Sequence, residues 1–178
     1  MSSIAIIPAR GRSKGIPRKN LSIIAGKPLI AHTIQNALNA HSVNRVFVTT
    51  DCPDIRRVSQ EYGAEVIWRP AELSGDYASS ESALLHVLNY LEKTENYQPD
   101  LTIFLQCTSP LITHSDIDGA VQTLFDDDAD SACTVIPFHH FLWGKSPEGR
   151  VEGINHNMRV RPLRQKQEPQ FLETGAVY

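Results

Sequence analysis

Ile4-Ala5-Ile6-Ile7-Pro8-Ala9-Arg10-Gly11-Arg12-Ser13-Lys14-Gly15-Ile16-Pro17-Arg18-Lys19-Asn20 decides the fold. It opens on an unbroken apolar run, the pattern of a strand buried on both faces of a parallel sheet. It then switches abruptly to a basic loop punctuated by Gly and Pro. In open α/β sheets, ligands bind just past the carboxyl ends of parallel strands. The stretch therefore predicts both an opening strand and the place of a site.

The rest of the chain repeats the alternation. Pro28 to about Asn39 has helical spacing through Ile30, Ile34, Ala37 and Leu38, with Pro tolerated in the first turn. Arg45 to Thr50 reads as a strand, Pro53 to about Tyr62 as a helix closed by Gly63, and Glu65 to Trp68 as a strand. Ser79 is placed to cap a helix carrying Leu84, Val87, Leu88 and Leu91. Leu101 to Leu105 is the clearest strand. Thr113 to about Phe125 is a helix, and Ala132 to Ile136 reads as a further strand. Alternating strands and helices mean βαβ units, a mainly parallel sheet and helices on both faces, an α/β fold.

After Pro137 the period is lost. Residues from His139 to Glu168 are polar and broken by Gly144, Gly149, Gly153 and Pro162. That is long for an idle connection, so a binding or subunit-contact role is expected. The chain stops at Gly175-Ala176-Val177-Tyr178, which reads as a strand just beginning, so a missing C-terminal part is expected.

At 178 residues, with 41% hydrophobic and 21% charged, the chain suits one globular domain and not a disordered one. It has no apolar run of membrane-spanning length and no signal-peptide pattern. Cys52, Cys107 and Cys133 are odd in number and far apart, which fits reduced thiols in a cytoplasm-like compartment. The net charge of −3 opposes a duplex-binding role. Two basic stretches stand out against it, Arg10 to Lys27 and Arg159 to Lys166. Small positive patches on an acidic protein fit a compact anion such as a phosphate or carboxylate.

The loop from Arg10 to Asn20 is built to grip phosphate. Gly11 and Gly15 let backbone N–H groups approach an anion, and Arg and Lys neutralise charge developing on an attacked phosphoryl group. It is neither G-x-G-x-x-G nor a Walker A loop.

Pro8-Ala9-Arg10 followed by Ser13-Lys14-Gly15-Ile16-Pro17-Arg18-Lys19-Asn20 resembles the signature loop of the acylneuraminate cytidylyltransferases, the CMP-sialic acid synthetase family. Arg69-Pro70-Ala71-Glu72-Leu73, Asp76-Tyr77-Ala78-Ser79-Ser80 and Leu105-Gln106-Cys107-Thr108-Ser109-Pro110-Leu111 agree in order and spacing. The resemblance implies a Rossmann-like three-layer nucleotidyltransferase fold with a mainly parallel sheet, residues 1–178 forming one cytidylyltransferase domain. It implies homodimers, with residues 138–168 as a projecting dimerisation and substrate arm. The implied reaction is attack of the anomeric hydroxyl of a nine-carbon 2-keto sugar acid on the α-phosphorus of CTP, releasing pyrophosphate.

By the same resemblance Lys19 and Arg10 are the catalytic cations. Ala9, Arg10, Gly11, Arg12, Ser13, Lys14, Lys19, Asn20, Arg69 and Ser80 hold the nucleotide. Gln106, Arg164 and Tyr178 contact the sugar acid. Magnesium is the implied cofactor, with its Asp-x-Asp ligands expected beyond Tyr178 and no metal ligand within the chain. Thr174-Gly175-Ala176, Leu172 and Trp143 depart from the family pattern around the sugar pocket, so the acid stays open among N-acetylneuraminate, KDN, legionaminate and pseudaminate.

Asp116-Ile117-Asp118 is no substitute for the metal motif, because Thr113-x-x-Asp116 reads as a helix cap. His139-His140 lacks zinc spacing. Cys107 reads as a packed thiol. Two other classes remain open: a nucleic-acid-binding module using the basic patches, and a catalytically silent scaffold or fragment of the same fold.

Overall fold

The computed structural model describes every residue except 13, 14, 76, 77 and 161. The chain forms two compact units, one of residues 1–134 with 175–178 and one of residues 135–174.

The first unit is built on strands β1 (Ser3–Pro8), β4 (Arg45–Thr50), β5 (Glu65–Trp68) and β6 (Leu101–Phe104), paired in parallel in the order β5-β4-β1-β6. Between β1 and α1 lies a small antiparallel ladder, β2 (Ile23–Ile24) with β3 (Lys27–Pro28). The helices are α1 (Leu29–Asn39), α2 (Pro53–Glu61), α3 (Ser80–Glu95) and α4 (His114–Asp126).

The apolar run Ile4 to Ile7 explains the layering. All four residues are fully buried, and alternate side chains leave opposite faces of the sheet. Ala5 and Ile7 pack with Val46, Val48, Ile30 and Ile34 of α1, Ile55 of α2 and Ile117 of α4. Ile4 and Ile6 pack with Phe47, Ile67, Val87 and Leu91, the last two from α3. Three helices thus cover one face and α3 the other, the three-layer arrangement read from the alternation.

The helix starts follow local chemistry. The Ser79 hydroxyl accepts from the Ser82 N–H, and Pro53 opens α2. Thr113 and Asp116 make a reciprocal capping box on α4. Asp118 is also engaged, accepting from the N–H groups of His41 and Ser42 after α1. Both acids of Asp116-x-Asp118 are engaged in these hydrogen bonds.

The expected strand from Ala132 to Ile136 is corrected. Ala132 to Thr134 carry no strand, and β7 (Val135–Phe138) begins later and pairs antiparallel with β10 (Gln170–Glu173) in the second unit. Val135 and Ile136 are about half exposed, unlike the central strands, so this run is not a strand buried on both faces. The outer edge of β6 is met instead by the last residues, which run antiparallel: Leu105 bridges Val177, and Phe104 and Tyr178 exchange both backbone hydrogen bonds at 2.8 and 3.0 Å. The second unit holds β7 and β10, the short antiparallel pair β8 (Trp143–Lys145) and β9 (Val151–Gly153), and a 3-10 turn at Arg164–Lys166. The segment read as irregular therefore contains two short strands. Among the described residues, no helix is long and apolar enough to cross a membrane.

Candidate active site

The strand order reverses between β1 and β6, because chain progression runs outward from β1 through β4 to β5, then returns to the other side of β1. Such a switch point leaves a crevice at the carboxyl ends of the strands. A cavity of about 460 Å³ lies there, lined from the β1 side by Pro8, Arg10, Lys19 and Asn20 and from the β6 side by Phe104, Gln106 and Thr108. A second cavity of about 220 Å³ shares Pro8, Arg10 and Ser80 with it and adds Arg69 and Ser79.

The loop that follows β1 is held both by its own residues and by neighbouring segments. Arg18 has a left-handed backbone (φ 55°) that turns the chain into the 3-10 turn Lys19–Leu21, and its guanidinium pairs with Asp54. Asn20 is buried, and its amide donates to the Arg10 carbonyl at 3.2 Å, tying the two ends of the loop together. Arg10 is half-buried and donates to the Gly75 carbonyl at 3.2 Å. The Lys19 side chain is half-buried in the larger cavity and has no counter-ion among the described residues. A cation so placed is available to an anionic ligand.

Arg69 is buried, with 5% exposure, and is not the surface salt bridge that an isolated arginine suggests. Its Nε donates to the Thr49 hydroxyl and its Nη2 to the Thr49 carbonyl. Burial, together with the charge of Arg10, pulls its pKa down, while Asp51 opposes that. His86 of α3 lies near enough that burial and then the Arg69 charge lower its pKa, keeping the imidazole neutral at pH 7. Ser80 is the exposed first residue of α3 and faces both cavities, and the cap is Ser79. The α3 N-terminus adds its positive end to the cations of Arg10 and Arg69.

Cys107 is fully packed, and burial pushes its thiol up to about 12. It forms cavity wall and is no nucleophile at neutral pH.

Gly11 differs from the sequence expectation. Its N–H donates to Asp51 Oδ1 at 2.7 Å and is not offered to a ligand. A Cβ at this position would lie 2.8 Å from the Cys52 Cβ, so close packing accounts for the glycine. Ala9 is buried with its N–H on the Thr49 carbonyl at 3.0 Å, which leaves its carbonyl for any ligand contact. Arg12 is exposed and lines neither cavity. Ser13 and Lys14 lie outside the described residues.

Tyr178 stacks on Phe104 with ring centroids 5.3 Å apart and lines a separate 110 Å³ cavity beside α4, not the 460 Å³ one. Its hydroxyl and the Gln106 Oε1 nevertheless flank one point: a Cβ on Gly175 would meet them at 3.6 and 3.7 Å. Gly175 has φ +65°, which favours glycine whatever residue precedes it. Arg164 belongs to the second unit, where it lines a cavity of about 700 Å³ with His139, His140, Trp143 and His156. The Arg164 charge lowers the pKa of His139.

Asp51, His86, Phe104 and Thr108 were missed by reading the sequence. Three of them share a signal in their position, since Asp51, Phe104 and Thr108 lie at or just past the carboxyl ends of β4 and β6, while His86, inside α3, has none. Among the described residues, no three His, Cys, Asp or Glu side chains converge to hold a metal. The donor set of the described residues does not by itself fit a magnesium ion.

The cytidylyltransferase family model matches residues 4–166. The N-acylneuraminate cytidylyltransferase A of Danio rerio is 33% identical over 177 residues, 98% of this chain and 40% of that protein. The pseudaminic acid cytidylyltransferase of Campylobacter jejuni (strain 81-176) is 34% identical over 161 residues, 90% of this chain and 66% of that protein. This chain thus spans about two fifths of the length of the fish relatives. A solved structure of CMP-2-keto-3-deoxy-manno-octonic acid synthetase complexed with CTP superposes with a TM-score of 0.68 at 23% identity, covering 99% of this chain and 73% of that one. A 4-diphosphocytidyl-2C-methyl-D-erythritol synthase gives 0.64 at 12% identity over the same shares. The two structures establish the α/β nucleotidyltransferase fold.

Proposed function

This chain belongs to the cytidylyltransferase family, and we propose that it transfers CMP from CTP to the anomeric hydroxyl of a nine-carbon 2-keto sugar acid. The observation that carries the reading is the meeting of Arg10, Lys19, Ser80 and Gln106 around one cavity at the β1–β6 switch point. Cations and a helix N-terminus stand on one side, and an uncharged amide stands on the other. A triphosphate suits the first, and the hydroxyls and carboxylate of a sugar acid suit the second.

The sugar hydroxyl oxygen forms a bond to the α-phosphorus, and the bond from that phosphorus to the bridging oxygen of pyrophosphate breaks. The electron pair leaves with pyrophosphate. The hydroxyl proton leaves to water; among the described residues, no carboxylate or imidazole lines the cavity. The site's contribution is therefore positioning and charge stabilisation, with Lys19 and Arg10 holding the phosphates as negative charge builds up on the leaving group. Gln106 orients the acid. Magnesium belongs to the proposal as an assisting ion with ligands other than the described residues, and no step here depends on it.

Two further parts of the proposal concern setting. Copies of the chain pair through residues 138–168, which expose Trp143, Val151, Ile154 and Leu163, and the protein works in the cytoplasm. Both relatives named for nine-carbon acids support the substrate class, and the choice between acids is left to the test. That test is pyrophosphate release by the full-length protein with CTP, magnesium and a panel of N-acetylneuraminate, KDN, legionaminate and pseudaminate. Folded protein that releases pyrophosphate with none of them refutes the reading. Sedimentation tests the pairing.

A further inference from the structure

Asp51 sits in the turn between β4 and α2, and no part of the mechanism above uses it. A carboxylate beside a triphosphate site is out of place unless its charge and oxygens are engaged, since like charges repel.

Both are engaged. β1 and β4 are parallel neighbours with Pro8 opposite Thr49, so the loop leaving one strand lies beside the turn leaving the other. The Gly11 N–H donates to Asp51 Oδ1 at 2.7 Å across 40 residues of sequence. The missing side chain of Gly11 lets the loop sit directly on Cys52, where a Cβ would come within 2.8 Å. The turn beneath is itself fixed, because the Cys52 N–H donates to the Thr50 hydroxyl at 3.1 Å. On the other side the Asp51 charge acts on the buried Arg69 guanidinium, whose backbone N–H donates to the Thr50 carbonyl at 2.8 Å.

We propose that Asp51 is a positioning residue of the nucleotide site: it latches the Arg10–Gly11 turn onto the carboxyl end of β4, the same strand end whose Thr49 and Thr50 hold Arg69. Arg10 and Arg69 are then presented to the same 220 Å³ cavity. An N–H can only donate, so the latch needs an acceptor at Oδ1 and nothing more. The inference rests on the nucleotide reading of that cavity.

The test compares Asp51→Ala and Asp51→Asn with the wild type in the full-length protein. Asp51→Ala removes the acceptor and raises the KM for CTP about ten- to hundredfold, the range for loss of a hydrogen bond to a charged group. The KM for the sugar acid stays within twofold. Asp51→Asn keeps an oxygen acceptor and recovers most of the CTP affinity. Hydrogen exchange of the Gly11 amide provides a readout independent of turnover: slow in the wild type and Asp51→Asn, fast in Asp51→Ala. An unchanged KM for CTP in Asp51→Ala, failure of Asn to rescue, equal rises in both KM values, or equal Gly11 exchange in all three proteins each overturns the latch. A wild type that releases no pyrophosphate refutes the nucleotide reading instead, and the Gly11 exchange rates then still decide whether the latch exists.

Discussion

Replacing Lys19 by Ala tests the charge that the site most depends on. The Lys19 side chain is half-buried in a cavity that Phe104 and Cys107 also line, with no carboxylate partner among the described residues. Two unit charges about 4 Å apart interact by roughly 1 kcal/mol in water and about 4 kcal/mol at the effective dielectric near a protein surface. A half-buried ammonium falls between these limits. At 1.36 kcal/mol per factor of ten, the range is roughly fivefold to a thousandfold in kcat/KM. The apolar wall formed by Phe104 and buried Cys107 moves the expectation toward the upper half, about a hundredfold or more. If Lys19 acts on the leaving pyrophosphate, the loss falls on kcat more than on the KM for CTP. The assay is steady-state pyrophosphate release by the full-length protein, with a thermal melt as control. Lys19→Arg keeps the charge and should restore part of the rate. An unchanged melt with kcat/KM within threefold of wild type refutes the role of Lys19.

Four further outcomes follow from the same geometry. Gly11→Ala forces the loop off Cys52, with an overpacking cost of about 1–3 kcal/mol and a higher KM for CTP; a neutral melt and an unchanged KM would contradict the close packing. Arg69→Ala removes a buried guanidinium and takes away the Nε donor of the Thr49 hydroxyl and one of the donors of the Thr49 carbonyl, which keeps the Ala9 N–H, costing about 2–4 kcal/mol in denaturant unfolding; stability within 0.5 kcal/mol of the wild type (roughly measurement error) would count against burial of this residue. Arg45 bridges Glu65 and Glu95, and its hydrogen bond holds the Glu95 carboxyl below its usual value of 4.5. A depressed folded-state pKa stabilises at neutral pH and is lost as pH falls through that lowered value. The melting temperature of Arg45→Met should therefore fall less steeply than the wild type's between pH 5 and pH 3, by melts in that range. Iodoacetamide at pH 8 should label exposed Cys133 and spare native Cys107, whose thiol sits near 12, as read by peptide mass spectrometry; prompt labelling of Cys107 would show that the cavity wall opens.

Much of the first unit was legible along the chain because its signals are local. Ile4 to Ile7 could be read as a strand buried on both faces from four consecutive residues. Ser79, Thr113 with Asp116, and Pro53 announce helix starts within three or four positions. Ala132 to Ile136 misled because a short apolar run does not say which sheet it joins. Its pairing partner, Gln170–Glu173, lies more than thirty residues away. Gly11 misled for a related reason: a glycine in a basic loop invites an anion, yet what occupies its N–H is a carboxylate brought from another strand.

The sequence alone determined that strands alternate with helices, that a cationic loop leaves the first strand, and which residues of that loop and of the Gln106 segment match one family. Those properties are written in spacings of two to four residues and in short motifs, and short-range backbone geometry is enough to express them. Only the tertiary structure decided that Arg69 is buried and held by Thr49, that Asp51 grips Gly11, and that Tyr178 stacks on Phe104 beside β6. Each of these joins residues 20 to 74 positions apart. Such contacts depend on which strands lie side by side, and strand order is settled by burial of whole faces, which no local pattern encodes.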